Sequence, residues 1–325
     1  SIPFIALQEA ELSLFNGALN IPTNPITFTA SFLGFAPIPN FMTVTSLAFA
    51  NKFFLFLSFL ILKKFFFKDE NILLLFFLVP SLLLYSSLSL RETLIIIASV
   101  FFLLNMLKNN YFISLLMMLP LSILKVQMFA FFLIYFIGCL VFRANKSRFS
   151  LLLYSSVILI VAFVFEELIL EVVNYYRLGF AAEDMDFGNG IYGYYAFSLY
   201  GAGLAESLKL HSMWELIWIS IIGLPKLLLM PLPNSWSSIF YPIQFFESIL
   251  MISIYIFIAV KYDLLRNKEF IYLSAILLIS LMLYSLLLFN EGTFVRYRFA
   301  LCYPFILALY YIATVKQTNS IEKKY

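Results

Sequence analysis

Apolar side chains do not alternate with polar ones along this chain; they run together in long blocks separated by short polar stretches. The blocks cover approximately residues 42–62, 71–87, 93–107, 111–124, 126–142, 149–165, 213–230, 240–260, 270–289 and 299–315. A helix of about 20 apolar residues crosses the hydrocarbon core of a bilayer, because helical backbone satisfies its own hydrogen bonds there. The pattern therefore predicts an all-α, polytopic integral membrane protein. A transmembrane β-barrel is excluded, since its strands would alternate to keep a lumen polar. Blocks 71–87, 93–107 and 111–124 fall short of a full crossing, which predicts tilted or discontinuous helices meeting at a polar cavity. The block 213–230 carries a Pro225-Lys226 step in its interior, so it is expected to be re-entrant or interfacial within a long external loop, about 166–239.

Composition supports that class. Of 325 residues, 63% are hydrophobic and 12% charged, too few charges for a soluble chain of this length, with mean hydropathy +0.96. A net charge of +3 gives no basic surface for nucleic acid. Cys139 and Cys302 both lie inside apolar blocks, so neither a disulfide framework nor a thiolate metal site is expected. No repeat or linker divides the chain, and residues 1–325 are read as a single transmembrane domain ending in a frayed tail over 316–325.

The distribution of charge adds an orientation. Lys63, Lys64, Lys68, Lys108, Arg143, Lys146, Arg148, Lys261, Arg266, Lys268, Lys316, Lys323 and Lys324 cluster between blocks, and by the positive-inside rule they face the cytoplasm. Only Asp69, Glu70, Asp263, Glu269 and Glu322 accompany them. The stretch 1–40 has no Lys or Arg and reads as external, which leaves open an upstream helix.

The other face then holds cations that serve no orientation role. Arg91 and Glu92 fall at the hinge of SSLSLRETL, Lys125 and Gln127 at the next hinge, and Glu291, Arg296, Tyr297 and Arg298 in NEGTFVRYR, which is expected to join the last two spans. A charge drawn to the bilayer centre costs about 2.5–3.5 kcal/mol on insertion scales, so such residues need a purpose. Arginine forks and lysine ammoniums suit an anionic ligand carrying phosphate and hydrocarbon. Pairing with Glu92, Glu247 and Glu291, or snorkelling to headgroups, is the structural alternative.

The segment 166–212 concentrates Glu166, Glu167, Glu171, Arg177, Glu183, Asp184 and Asp186 ahead of GNGIYGYYAFSLYG, which includes Tyr194. Carboxylates beside tyrosines suit sugar hydroxyls and ring faces; a solvated amphipathic loop has the same composition. His211, the single histidine, has the chemistry of a general base. Asp184 and Asp186 form a DxD spacing without a second ligand set, so no metal is assigned, and the absence of Walker, GxGxxG, HExxH and CxxC patterns gives no support for nucleotide or zinc chemistry.

Three segments, PSLLLYSSLSLRETLI (Pro80 to Ile95), LPKLLLMPLPNSWSSIFYPIQFFESIL (Leu224 to Leu250) and NEGTFVRYRFALCYPFI (Asn290 to Ile306), resemble bacterial O-antigen and capsular polysaccharide polymerases of the Wzy type and EpsG-like proteins. Trp236 departs from that pattern, in which the Trp directly follows the second Pro. The resemblance implies a glycosyltransferase C-like fold of about 9–11 transmembrane helices in the bacterial inner membrane. It implies polymerisation of undecaprenyl-diphosphate-linked oligosaccharide repeat units at the periplasmic face, with no cofactor. Arg91, Arg296, Arg298 and Lys125 would hold diphosphate. Glu92, Glu291 or His211 would orient or deprotonate the acceptor hydroxyl, and Asp184, Asp186, Tyr194, Trp236 and Tyr297 would line the glycan path. Membrane lipid and a chain-length-regulating co-polymerase are the further implied partners. A glycosyltransferase using a polyprenyl-phosphate sugar, and a lipid-linked oligosaccharide transporter, are the alternatives; full-length spans and internal repeats typical of transporters are not evident.

Overall fold

A computed structural model describes residues 25–34, 44–67, 70–87, 91–145, 163–184, 206–233, 236, 239–287 and 291–322, with residues 156 and 160. Its described residues are helical, with no strand among them. In chain order the helices are α1 Pro25–Gly34, α2 Val44–Phe65, α3 Glu70–Phe77, α4 Pro80–Ser87, α5 Glu92–Leu107, α6 Tyr111–Leu124, α7 Val126–Asn145, α8 Glu166–Asp184, α9 Met213–Leu229, α10 Phe240–Lys261, α11 Lys268–Leu287 and α12 Glu291–Glu322. Segments of α2, α10, α11 and α12 (Thr45–Phe65, Phe240–Lys261, Lys268–Leu286 and Val295–Val315) are long and apolar enough to cross a membrane. The described residues thus have the make-up of an all-α membrane protein.

The block 71–87 is discontinuous, as its shortness predicts: two eight-residue helices, α3 and α4, form because Pro80 has no N–H to continue the first and its fixed φ suits the start of the second. Other expectations change. The Pro225-Lys226 step does not interrupt α9, which runs unbroken for four residues beyond Pro225. Neither the long external stretch nor the tail is irregular throughout: α8 occupies 166–184, and α12 continues to Glu322. Nor do Arg296, Tyr297 and Arg298 lie in a connecting loop; they sit in the early turns of α12. The block 149–165 lies largely outside the described residues.

The chain divides into two compact units, with boundaries inside α7, α10, α11 and α12. Unit 1 comprises residues 1–134, 251–273 and 300–325, and unit 2 residues 135–250 and 274–299.

Unit 1 is organised on the part of α12 after residue 300, where Phe305, Leu307, Ala308 and Leu309 are fully buried. A helix apolar on every side must be covered on every side. Aromatic rings supply part of the cover: Phe67 stacks on Tyr310 at 5.6 Å, and Phe132, itself stacked on Phe102 at 4.6 Å, lies 6.2 Å from Phe305. The Tyr303 hydroxyl donates to the Phe76 carbonyl at 3.3 Å, in the last turn of α3. Two antiparallel helices, α5 and α6, pack closely through a three-residue turn in which Asn109 takes a left-handed φ of 65°.

Unit 2 has a smaller apolar cluster of Leu170, Leu210, Met213, Leu216 and Leu286. There α9 approaches α11 so closely that a Cβ on Gly223 would lie 2.8 Å from Ser285 Oγ. That hydroxyl donates to the carbonyls of Ser220 at 3.1 Å and Met282 at 2.6 Å. Small residues allow such contacts, and with little water in the hydrocarbon layer an interhelical hydroxyl bond helps fix the packing.

Candidate functional site

In unit 1 the α5–α6 hairpin gathers three of the sequence-predicted residues at one of its ends. At about 1.5 Å per residue, the 16 residues of α5 and 14 of α6 make two near-equal antiparallel arms. Arg91 and Glu92 therefore open the first arm at the end where Lys125 closes the second. Arg91 is the residue before α5 and half-buried; its carbonyl accepts the amide of Ile95 at 3.1 Å. Glu92, in the first turn of α5, is 2% exposed, and its carboxylate lies where the positive end of the helix dipole favours an anion.

Lys125 is the single non-helical residue between α6 and α7, with φ −160° and ψ 86°. Its amide donates to Leu121 at 2.8 Å and its carbonyl accepts from Phe129 at 3.1 Å, so the chain is held on both sides of the break. The lysine is only 7% exposed. The same end of the hairpin thus carries a buried carboxylate, a buried ammonium and a half-buried guanidinium, the groups that anion binding and proton acceptance would draw on.

In unit 2, Arg298 is 3% exposed, and its Nη1 donates to the carbonyls of Leu227 at 3.1 Å, Leu228 at 3.0 Å and Met230 at 2.5 Å. The last carbonyls of a helix have no intrahelical donor, and Pro231 cannot supply one. Arg298 thus closes the C-terminal end of α9, where a cation also suits the helix dipole. Beside it, Arg296 is half-buried with its guanidinium carbon 5.1 Å from the Tyr297 ring centroid, and buried Tyr297 lies 5.6 Å from Tyr284. The backbone of Glu291 begins α12, but its side chain lies outside the described residues.

Trp236 folds back on the proline segment, its indole N–H donating to the Pro231 carbonyl at 3.2 Å and its ring 5.8 Å from Phe245. His211 is exposed, and its amide donates to Glu215 Oε2 at 2.7 Å. Asp184 ends α8 with its side chain outside the described residues; Asp186 and Tyr194 lie outside them altogether. Among the described residues no group of three His, Cys, Asp or Glu side chains could hold a metal ion.

The polar residues of α8 hold a strap, 206–213, that leads into α9. Asn174 pairs with Leu210 in both directions, amide to carbonyl at 2.9 Å and backbone N–H to Oδ1 at 2.8 Å. Arg177 donates from Nε to the Leu208 carbonyl at 2.7 Å and from Nη1 to the Leu286 carbonyl at 2.6 Å. Burial lowers the Arg177 guanidinium below its ordinary value while Glu215 pulls it back up, and an arginine stays charged throughout. Glu166 accepts the Met213 amide at 2.7 Å.

Glu166 and Arg177, in a segment whose composition suits either sugar binding or a solvated amphipathic loop, are thus engaged with backbone. Ser212 caps α9 by accepting the Glu215 amide at 3.2 Å. The apolar block 213–230 begins where α9 does; the cap itself was not read, and its signal was Ser-Met-Trp-Glu, a capping spacing, with the Glu reaching back to the amide of His211. No family model, curated protein or solved structure matches the chain.

Proposed function

We propose that this chain is a membrane glycosyltransferase that polymerises undecaprenyl-diphosphate-linked oligosaccharide repeat units into O-antigen or capsular polysaccharide at the periplasmic face of the bacterial inner membrane. The observation that carries the reading is the α5–α6 hairpin end, which holds Arg91, Glu92 and Lys125, the last two buried. The resemblance of Pro80 to Ile95, Leu224 to Leu250 and Asn290 to Ile306 to Wzy-type and EpsG-like proteins supports it from the sequence side.

In this reading the acceptor sugar hydroxyl attacks the anomeric carbon of the growing chain. A new C–O bond forms as the bond to the lipid diphosphate breaks, and the hydroxyl proton passes to a carboxylate, for which Glu92 is the candidate. Arg91 and Lys125 neutralise the charge that develops on the departing diphosphate, an effect amplified where water is scarce. Arg298 acts as a positioning residue, since its Nη1 is committed to the end of α9. Arg296 and Tyr297 remain the unit 2 candidates for substrate contact.

Arg91→Ala and Lys125→Ala are expected to abolish long glycan chains while single repeat units still reach the cell surface, at unchanged membrane abundance. Electrophoretic glycan ladders with immunoblots of the membrane fraction measure both. Normal ladders in both variants would sink the assignment.

A further inference from the structure

We propose that unit 1 carries a binding site for an anionic glycerophospholipid, with acyl chains in the groove between α1, α2, α5 and α6 and the phosphate at the Lys108 end. The groove has a volume of about 890 Å³, toward the upper end of the roughly 300–1,000 Å³ range of small-molecule sites. Its floor includes Leu94, Ala98 and Leu124, and its rim Phe32, Leu57 and Leu116, which are exposed. One wall, α2, is long and apolar enough to cross a membrane, so hydrocarbon is what the bilayer offers to fill the space.

The polar lining is asymmetric. Apart from Ser58, the polar side chains lining the groove are Asn105, Lys108 and Asn110, all at the turn of the hairpin, and no lining residue is acidic. Lys108 donates to the carbonyl of Phe65, the last residue of α2, and its ammonium sits 4.3 Å from the Phe66 ring centroid. An ammonium has three N–H groups, and the carbonyl takes one. Exposed Lys63 and Lys64 occupy the last turn of the same α2 end. An apolar trough with a lysine at its end, and two more on the last turn of the helix that walls it, matches a phosphate on hydrocarbon chains, and basic pockets between membrane helices on the positive face are where acidic headgroups collect. This site is at the opposite end of the hairpin from Arg91, Glu92 and Lys125 and does not depend on the glycosyltransferase reading.

The test uses the full chain in nanodiscs of equimolar phosphatidylglycerol and phosphatidylcholine, released into mild detergent, with retained lipid read by native mass spectrometry. Wild type is expected to retain phosphatidylglycerol over phosphatidylcholine by at least about tenfold. Leu116→Trp, which adds bulk at an exposed rim position, should lose the retained lipid. Lys108→Gln should retain both lipids equally, while Lys108→Arg, which keeps the charge and the bond to Phe65, should preserve the preference. Lys261→Gln, a cation on α10, should change nothing. Equal retention of the two lipids by wild type would overturn the proposal, as would a preference untouched by Leu116→Trp and Lys108→Gln. So would displacement of phosphatidylglycerol from the groove by equimolar polyprenyl phosphate, which would assign the groove to a substrate tail instead.

Discussion

In unit 2 two arginines are turned toward the protein's own backbone: Arg298 closes the end of α9, and Arg177 joins α8 to the strap and to the last turn of α11. In unit 1 the charged and amide side chains of the α5–α6 hairpin collect instead at its two ends, Arg91, Glu92 and Lys125 at one and Asn105, Lys108 and Asn110 at the other, with an apolar groove between. Scarcity explains why both arrangements matter. With 12% charged residues, each guanidinium or ammonium in an apolar setting must be compensated by something specific. Backbone carbonyls left over at helix ends are one compensation, and they make an arginine structural. A phosphate-bearing ligand is the other, and a site built for one can be spared without unfolding.

The contrast is most exposed to failure at Arg298. Arg298→Met would remove one charged donor from three carbonyls and leave them buried at the end of α9. The expected loss is at least about 3 kcal/mol, since Nη1 has two N–H groups to share among the three carbonyls and each bond to a charged group contributes roughly 1.5–3 kcal/mol. Denaturation of the purified protein in detergent measures it, with Arg91→Ala melting like wild type for comparison. An Arg298→Met protein of wild-type stability that makes no long glycans would reverse the assignment and return Arg298 to the substrate.

Much of this division is invisible in a sequence. Helices α2, α5 and α6 of unit 1, and α7, which runs from unit 1 into unit 2, were legible because their blocks are continuous and end at cations: all four begin and end within three residues of the blocks that predict them. The hairpin hinge residues were legible too, as charges that interrupt apolar runs. What Arg298 does was not, because its partners are carbonyls some seventy positions away, and a carbonyl has no letter in a sequence. The same holds for Arg177, whose acceptors lie 31 and 109 positions away. Helices α1 and α8 were missed for a different reason. One is ten residues long, and the other carries enough acids to read as a loop until its Asn174 and Arg177 are seen gripping the strap.

Arg177→Met tests the strap itself. Two carbonyl bonds are lost from a side chain that remains partly open to solvent, so the expected cost is smaller, about 1–2 kcal/mol after allowing for water that replaces them. The effect should be local. Hydrogen exchange at residues 206–213 is expected to accelerate several-fold more than in α5, and uniform acceleration through both units would contradict a role confined to the strap.

The smallest effect is expected where the strap turns into α9. Ser212 supplies one hydrogen bond to the Glu215 amide, and losing an N-cap of this type costs about 1 kcal/mol. Glu215 holds the preceding amide at His211, so Ser212→Ala leaves half of the cap in place, and the double variant with Glu215→Ala should cost more than Ser212→Ala alone. Exchange of the amides of Met213 to Leu216 reads the difference. If Ser212→Ala leaves those amides as protected as in wild type, the cap does not set where α9 begins, and the packing of Met213 and Leu216 against Leu170 and Leu286 does.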